Sequence, residues 1–248
     1  MQYRGTALVT GAGSGIGLAT ARVLAASGFS VALASLEPDA PPLTDAMCYY
    51  RADIAQIGEH AALLARIIAD LGPLTCLVNC AGVTSLVRGD MLALTPESFD
   101  RVLAVNLRGT FFLTQVVARH MLDCPPPADV PRSIITIGSS NAEIVGETRA
   151  DYCMAKAAVG MMNKLFAARL ASAGIAAFEI RPGIIHTAMT SPAVARYDRF
   201  VADGGVPMNR WGEPDDVAAT VLTLARGDIP YATGIHLDIG GGMQLHRV

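Results

Sequence analysis

The sequence predicts an α/β domain built on a doubly wound parallel sheet with helices on both faces. Short apolar runs rich in Val, Ile and Leu alternate with longer helical patterns, and the runs show little polar–apolar alternation. Strands covered on both faces have this continuous apolar character, and strand–helix alternation gives parallel sheets with right-handed crossovers. A length of 248 residues suits one such unit, so we expect residues 1–248 to form a single domain.

The individual elements follow from the same periodicities. Strands are expected at residues 7–9, 31–34, 49–51, 76–78, 133–137, 176–180 and 235–237. Helices are expected at residues 16–27, 59–71, 96–121, 152–173 and 214–225. Three connections are predicted to be irregular: 37–44, with three prolines, 125–131, and 188–207 with some helical pattern. Because long connections are often lids, we expect residues of about 187–207 to serve as a substrate loop.

Composition and charge argue against several classes of protein. The formal net charge is −3 and no basic block occurs, so no nucleic-acid partner is expected. The apolar runs fall short of the ~20 residues that cross a bilayer, and no signal sequence is recognisable, so no membrane partner is expected. The five cysteines form no CxxC pair and no zinc pattern, which favours free thiols, a cytoplasmic location and no bound metal.

A glycine-rich turn, Thr10-Gly11-Ala12-Gly13-Ser14-Gly15-Ile16-Gly17, separates the first strand from the first helix. Glycines at such a junction let backbone N–H groups approach a pyrophosphate at the helix N-terminus, where the helix dipole favours anions. The spacing fits TGxxxGxG and not GxGxxG, because position 16 is Ile. A tight structural turn would show the same glycines, but the place after strand one favours a Rossmann-type nucleotide site.

A tyrosine and a lysine stand one helical turn apart, at Tyr152 and Lys156. Such a pair is usually solvated; beside a cofactor, however, the ammonium stabilises the phenolate, and the phenol can exchange a proton with a substrate oxygen. Ser139 follows the strand 133–137, at the edge of the sheet where ligands bind, and its hydroxyl can hydrogen-bond an oxygen on which charge builds up. By sequence alone Ser140 is a rival for this role.

These motifs resemble, in order and over about 240 residues, those of the short-chain dehydrogenase/reductase family. The glycine turn resembles the family's cofactor turn. The segment Asn79-Cys80-Ala81-Gly82 resembles its NNAG motif, with Cys in place of the second Asn. The segment Arg181-Pro182-Gly183, with Thr187, resembles its PG-xxx-T cofactor segment.

The resemblance implies a catalytic set of Asn106, Ser139, Tyr152 and Lys156. The 13-residue offset to Tyr152 selects Ser139 over Ser140. The resemblance also implies that Lys156 hydrogen-bonds the nicotinamide ribose. It implies that Asn106, inside the helical stretch 99–121, and a local backbone distortion hold a water that links Lys156 to solvent.

The same resemblance implies a nicotinamide dinucleotide, either NAD or NADP. The residue that ends strand two usually decides between them, and here Ser35 and Leu36 are neither acidic nor basic. Glu37 either reaches the ribose or is a solvated loop charge, so the choice stays open. The expected cofactor contacts are Gly11, Ser14, Gly15, Ile16, Gly17, Ser35, Leu36, Asp53, Ile54, Asn79, Ala81, Gly82, Tyr152, Lys156, Pro182, Gly183, Ile185 and Thr187.

The implied activity is NAD(P)-dependent hydride transfer between a ketone and a secondary alcohol. The resemblance is strongest to proteins labelled 3-oxoacyl-[acyl-carrier-protein] reductases, so an acyl thioester is one expected substrate. A sugar, a polyol or another small alcohol is the alternative, and Glu143 and Arg149 facing a polar pocket would favour it. A non-catalytic dinucleotide-binding regulator is the alternative from another class. The candidate pocket residues are Asn141, Glu143, Arg149, Cys153, His186 and Met189.

Partner surfaces are less sharply predicted. An acidic carrier protein would need exposed cations near the entrance, and the candidates Arg88, Arg108, Arg119 and Arg149 are scattered along the chain. Relatives pair the two long helices, here 95–121 and 152–173, into dimers and tetramers, so a homodimer or homotetramer is expected. Small residues on the second helix either allow close helix approach or pack on the sheet: Ala155, Ala157, Ala158 and Gly160.

Overall fold

Seven strands form one parallel sheet in the computed structural model, which describes residues 5–126 and 129–245. The spatial order is β3-β2-β1-β4-β5-β6-β7, with neighbouring strands parallel throughout, so the order reverses between β1 and β4 as in doubly wound folds. All seven predicted strands are confirmed, with small shifts at their ends. They are β1 Thr6–Thr10, β2 Ser30–Ser35, β3 Met47–Arg51, β4 Leu74–Asn79, β5 Arg132–Ile137, β6 Ile175–Pro182 and β7 His236–Ile239.

Helices cover both faces of this sheet. Apolar side chains of α1 and α7 form the core on one face, and those of α2, α4 and α5 form the core on the other. The predicted fold class is therefore confirmed. The helices are α1 Gly15–Ala26, α2 His60–Leu71, α3 Pro96–Leu103, α4 Thr110–Asp123, α5 Ala150–Leu170, α6 Val194–Ala202 and α7 Pro214–Ala225. Among the described residues, no helix is long and apolar enough to span a membrane.

The single helix predicted over 96–121 is wrong in one respect, because a π-helical turn, Ala104–Gly109, separates α3 from α4. The side chain of Asn106 within this turn is bonded to the backbone of Val83 and not to its own helix. Gly109 lies so close to the carbonyl of Ile54 that a Cβ there would overlap it. The backbone distortion that the resemblance implied near Asn106 is this wider turn.

The irregular connections also take their predicted form. Residues 37–44 contain no helix or strand, and the segment 125–131 contains none among its described residues, since 127 and 128 lie outside them. The connection 188–207 contains a short 3₁₀ turn, Ser191–Ala193, followed by α6. Tyr197 and Val201 of α6 pack with Ile184 and Trp211 in a small core of their own, which places this helix over the carboxyl end of β6.

Candidate active site

The carboxyl ends of the central strands open into one cavity of about 670 Å³. The glycine turn forms its floor: Gly11 and Gly15 have φ values of +63° and +52°, which side chains rarely adopt. A Cβ on Gly11 would lie 2.7 Å from Cα of Ala81, and one on Gly17 would overlap the carbonyl oxygen of Gly11. Side chains are therefore excluded where a ligand would need to approach the backbone.

The start of α1 suits the pyrophosphate of a dinucleotide. Ser14 occupies the N-cap position with extended backbone, yet its side chain makes no capping hydrogen bond. The first N–H groups of a helix have no partner within the helix, and here they border the cavity through Ser14, Gly15 and Ile16. The residues present therefore fit the phosphates of a nicotinamide dinucleotide.

Thr10, the first residue of the glycine motif, joins β1 to β4. Its hydroxyl oxygen accepts hydrogen bonds from the backbone N–H groups of Cys80 (3.0 Å) and Ala81 (3.1 Å). This contact holds the Asn79-Cys80-Ala81-Gly82 segment against the glycine turn. Sequence reasoning assigned no separate role to Thr10, although its place in the motif was a usable signal.

Glu37 lies at the end of the cavity bordered by β2. Its carboxylate accepts a hydrogen bond from the Ser35 hydroxyl, and a Cβ on Gly13 would lie 2.6 Å from Oε2 of Glu37. Both Ser35 and Glu37 line the cavity. Glu37 is also exposed to solvent, so its contact with the ribose stays a prediction.

Fourteen of the predicted cofactor residues line the cavity. They are Gly11, Ser14, Gly15, Ile16, Gly17, Ser35, Ala81, Gly82, Tyr152, Lys156, Pro182, Gly183, Ile185 and Thr187.

The other four predicted contacts do not line it, for four different reasons. The Leu36 side chain is 56% exposed, whereas Ile54 is buried in the core beneath α2 and α4. The Asp53 carboxylate accepts a hydrogen bond from the N–H of Ala55 (2.9 Å). The Asn79 amide is buried and donates to the hydroxyls of Thr114 (2.9 Å) and Thr136 (3.3 Å). Asn79 thus connects β4 to its neighbours from behind the cavity.

Tyr152 and Lys156 are brought together as predicted, on the face of α5 that borders the cavity. The ammonium of Lys156 lies 5.7 Å from the centre of the Tyr152 ring and donates a hydrogen bond to the carbonyl oxygen of Ile137 (2.7 Å). Ser139 lies two residues beyond Ile137 and accepts a hydrogen bond from the N–H of Asn141 (3.1 Å). Its rival Ser140 lines the same cavity. One end of β5 therefore places the serines and fixes the lysine.

Asn106 does not line the cavity but lies directly behind it. Its amide forms two hydrogen bonds with the backbone of Val83, each 2.8 Å. A Cβ on Gly82 would lie 3.2 Å from Oδ1 of Asn106 and 3.8 Å from Nζ of Lys156. Gly82 thus separates Asn106 from Lys156 by little more than a backbone width.

A buried carboxylate that sequence reasoning missed lies beside the predicted catalytic tyrosine. Asp151 is fully buried and accepts hydrogen bonds from the hydroxyls of Ser85 and Ser98 and from the N–H of Tyr152 (2.8 Å). It therefore ties the first turn of α5 to α3 and to the loop after β4. A charged residue beside a tyrosine carried no signal that it would be buried.

The structure also decides which of the candidate pocket residues face the cavity. Asn141, Arg149 and Met189 line it. Glu143, Cys153 and His186 do not. The Glu143 carboxylate pairs with Arg181, and the His186 ring lies 2.6 Å from the Glu213 carboxylate and stacks on Trp211. Helix α6, within the predicted substrate loop, adds lining residues that the sequence did not single out: Arg196, Tyr197, Arg199 and Phe200.

Cys80, the residue at which the NNAG-like segment departs from the motif that it resembles, lines the cavity. Burial raises the pKa of its thiol to about 12, against a smaller opposing effect of the Lys156 ammonium. The thiol is therefore protonated at neutral pH, which leaves it a poor nucleophile. Among the described residues, no cluster of His, Cys, Asp and Glu could hold a metal ion.

The fold and the site agree with what known proteins show. A family model described as enoyl-(acyl carrier protein) reductase matches residues 11–244. The (3R)-3-hydroxyacyl-CoA dehydrogenase of Canis lupus familiaris is 33% identical over 257 residues, which cover 96% of this chain and 96% of that protein. The 3-oxoacyl-[acyl-carrier-protein] reductase of Thermotoga maritima is 31% identical over 96% of this chain and 97% of its own.

A crystal structure from Brucella melitensis gives the corresponding structural match. It is described as a 3-oxoacyl-[acyl-carrier protein] reductase in complex with NAD, superposes with a TM-score of 0.96 and is 42% identical, covering 100% of both chains. The glycine turn, the Tyr152–Lys156 pair and these similarities together show that this chain is an oxidoreductase of the short-chain dehydrogenase/reductase family.

Proposed function

We propose that the protein uses NAD to interconvert a 3-oxoacyl group and the corresponding 3-hydroxyacyl group. The observation that carries this proposal is that Ser139, Tyr152 and Lys156 border the same cavity as the glycine turn. Nothing in a pure dinucleotide-binding regulator would require these three side chains in one place. The regulator hypothesis is therefore disfavoured, and hydride transfer over a panel of ketones tests it directly.

The side chains divide the chemistry among themselves. When bound, reduced nicotinamide supplies a hydride, with its electron pair, to the carbonyl carbon. Tyr152 gives its phenolic proton to the carbonyl oxygen, so that the ketone becomes a secondary alcohol and the phenol becomes a phenolate. Lys156 stabilises this phenolate, and Ser139 donates a hydrogen bond to the oxygen as charge develops there. Oxidation of the alcohol follows the same steps in reverse.

The preference for NAD over NADP rests on Glu37. A carboxylate at the end of strand two hydrogen-bonds the 2′-hydroxyl of the adenosine ribose and repels a 2′-phosphate. Here Ser35 holds that carboxylate against Gly13, two residues beyond the usual position. The Brucella melitensis structure was solved with NAD, which agrees with this preference.

The choice of an acyl substrate over a sugar rests on the walls of the cavity. Of the two residues whose presence in a polar pocket would favour a hydroxylated substrate, Arg149 lines the cavity, whereas Glu143 is held outside it by Arg181. Apolar side chains also line the cavity, and they suit an acyl chain better than a polyol. They are Ile144, Val145, Met189, Phe200 and Met243.

The test of this function is a spectrophotometric comparison of NADH and NADPH oxidation. The substrates are the N-acetylcysteamine thioester of 3-oxobutanoate, its free acid and a panel of ketoses and aldoses. We expect turnover with the 3-oxoacyl compounds, with NADH preferred. Turnover confined to the sugars, or to NADPH, would contradict the proposal.

We also propose that the protein forms a homodimer or homotetramer through α5. Met154, Ala157, Met161 and Leu165 place exposed apolar surface along one side of this helix. Gly160, by contrast, faces inward, since a Cβ there would lie 3.0 Å from Arg181, so its small size serves internal packing. A cytoplasmic location remains a prediction from the cysteine pattern.

A further inference from the structure

Four arginines line the half of the cavity that is remote from Glu37. Arg88 precedes α3, Arg149 precedes α5, and Arg196 and Arg199 belong to α6. None of the four has an ion-pair partner among residues 5–126 and 129–245. The full sequence has a formal net charge of −3, so this concentration of unpaired cations runs against the overall charge. The acidic side chains that line the cavity are Glu37 and Asp203, so the four arginines outnumber them and favour an anionic ligand.

Arg149 is the member of this group nearest to the chemistry. Its guanidinium carbon lies 5.4 Å from the centre of the Tyr152 ring, and Nη2 donates a hydrogen bond to the Tyr197 hydroxyl (3.3 Å). Gly146 leaves room for this side chain, because a Cβ there would lie 3.2 Å from Nε of Arg149. The guanidinium is thus held between the proton donor and helix α6.

The environment of Arg149 is poorly satisfied by the protein itself. A half-buried guanidinium has lost part of its hydration, and one neutral hydroxyl replaces only a small share of it. A carboxylate would offer two acceptor oxygens and a full opposite charge in the planar geometry that arginine recognises best. An anion on the substrate, a few bonds from the reacting carbon, would lie where such a partner is needed.

We propose that Arg149 binds a carboxylate of the substrate, so that the preferred substrate is a short oxo acid or hydroxy acid with a free carboxylate. This inference rests on the proposed function, in which the reacting group is a 3-oxoacyl or 3-hydroxyacyl group. In that group the carboxyl carbon is two bonds from the carbonyl carbon whose oxygen Tyr152 protonates. A neutral thioester carbonyl would occupy the same position with a weaker hydrogen bond.

The test compares 3-oxobutanoate with its uncharged methyl ester in the wild type and in Arg149→Gln. In Arg149→Gln, kcat/KM for the acid should fall about 10- to 100-fold, as expected for the loss of a charge-assisted hydrogen bond of roughly 1.5–3 kcal/mol. For the ester it should fall less than about threefold. Arg149→Lys should recover part of the loss. The N-acetylcysteamine and coenzyme A thioesters of 3-oxobutanoate are two further substrates. The free-acid assignment would be overturned if kcat/KM were higher for a thioester than for the acid and this preference were lost in Arg149→Gln.

Two controls separate recognition from structure. Arg169→Gln removes a positive charge from the far end of α5, outside the cavity, and should leave kcat/KM unchanged for all four substrates. Tyr197→Phe removes the contact between Arg149 and helix α6 and should affect the acid and the ester alike. If Arg149→Gln lowers both to the same extent, Arg149 only positions Tyr152 or α6, and the proposal is wrong.

A binding experiment distinguishes failure of this inference from failure of the proposed function. Calorimetric titration of the NADH complex with butyrate and with butyramide measures anion recognition without turnover. Arg149-dependent binding of butyrate alone would sustain the inference even if no 3-oxoacyl compound were reduced. Equal or Arg149-independent binding of the two probes would reject it whatever the activity panel shows.

Discussion

The ammonium of Lys156 is fixed by the carbonyl oxygen of Ile137, 2.7 Å away at the last residue of β5. One of its three N–H donors is used in this bond, and two remain for the phenol and for a ribose. Because Ser139 follows on the same backbone, one strand end sets the position of the serine relative to the lysine. The ammonium that this bond fixes lies 5.7 Å from the centre of the Tyr152 ring.

Replacement of the phenolic hydroxyl should remove the chemistry and leave binding intact. For Tyr152→Phe we expect kcat to fall about 10²- to 10⁴-fold, since general acid–base catalysis contributes that much. The dissociation constant for NADH, measured by fluorescence titration, should change less than about threefold because the glycine turn is untouched. Full activity of this variant on a verified substrate would contradict the assigned role.

Removal of the charge at the adenosine end should change cofactor preference. For Glu37→Gln we expect kcat/KM with NADH to fall about 10-fold, because a charge-assisted hydrogen bond is weakened, and that with NADPH to rise. Glu147→Gln removes an exposed charge outside the cavity and serves as the matched control. An unchanged ratio of the two values would show that Glu37 does not select the cofactor.

Loss of the buried carboxylate should destabilise the fold and misplace the tyrosine. Asp151→Ala leaves two serine hydroxyls and the N–H of Tyr152 without their acceptor, so the free energy of unfolding should fall by about 3 kcal/mol. Asp151→Asn keeps one acceptor oxygen, so chemical denaturation should show a smaller decrease in its free energy of unfolding. Asp151→Ala should also lower kcat more than it weakens NADH binding. Proportional losses in both would indicate a purely structural role.

The start of α7 should contribute a pH-dependent stability. A hydrogen bond from Arg210, and one from the N–H of Glu213, hold the pKa of Asp216 at about 2, below its ordinary value of 3.8. Since the folded-state pKa is depressed, the contribution is present above about pH 4 and is lost as the pH falls toward 2. With the side chain one third exposed, screening reduces it to about 1 kcal/mol. The difference in Tm between the wild type and Asp216→Asn should therefore shrink below pH 4, and a difference that does not depend on pH would contradict this assignment.

The exposed stripe on α5 should govern assembly. For Met161→Glu combined with Leu165→Glu we expect a lower molecular mass by light scattering, because charges replace apolar surface that a second copy would bury. Replacement of Tyr231, a fully exposed side chain that does not belong to α5, by Ser is the control. A wild type that is monomeric at all concentrations would reject the proposed interface.

The fold and most of the site could be predicted because they depend on local signals. Strand placement, helix placement and the glycine turn follow from periodicity and from residues that only one backbone geometry admits. The Tyr152–Lys156 pair follows from helical spacing. The break at Ala104–Gly109 could not be read from periodicity, since the local sequence has a helical pattern and the widening comes from distant contacts of Asn106 with Val83 and of Gly109 with Ile54.

The sequence by itself therefore determined the doubly wound sheet and the dinucleotide turn, because short-range spacing encodes both, whereas the catalytic set is a prediction that the family resemblance implies. Only the tertiary structure decided which charges face the cavity. Glu143 is taken by Arg181, Glu37 is held against the glycine turn, and Arg149 is left beside Tyr152 without a carboxylate partner among the described residues. The reason is physical: the partner of a charge is set by which elements meet in space, and residues far apart in the chain supply it.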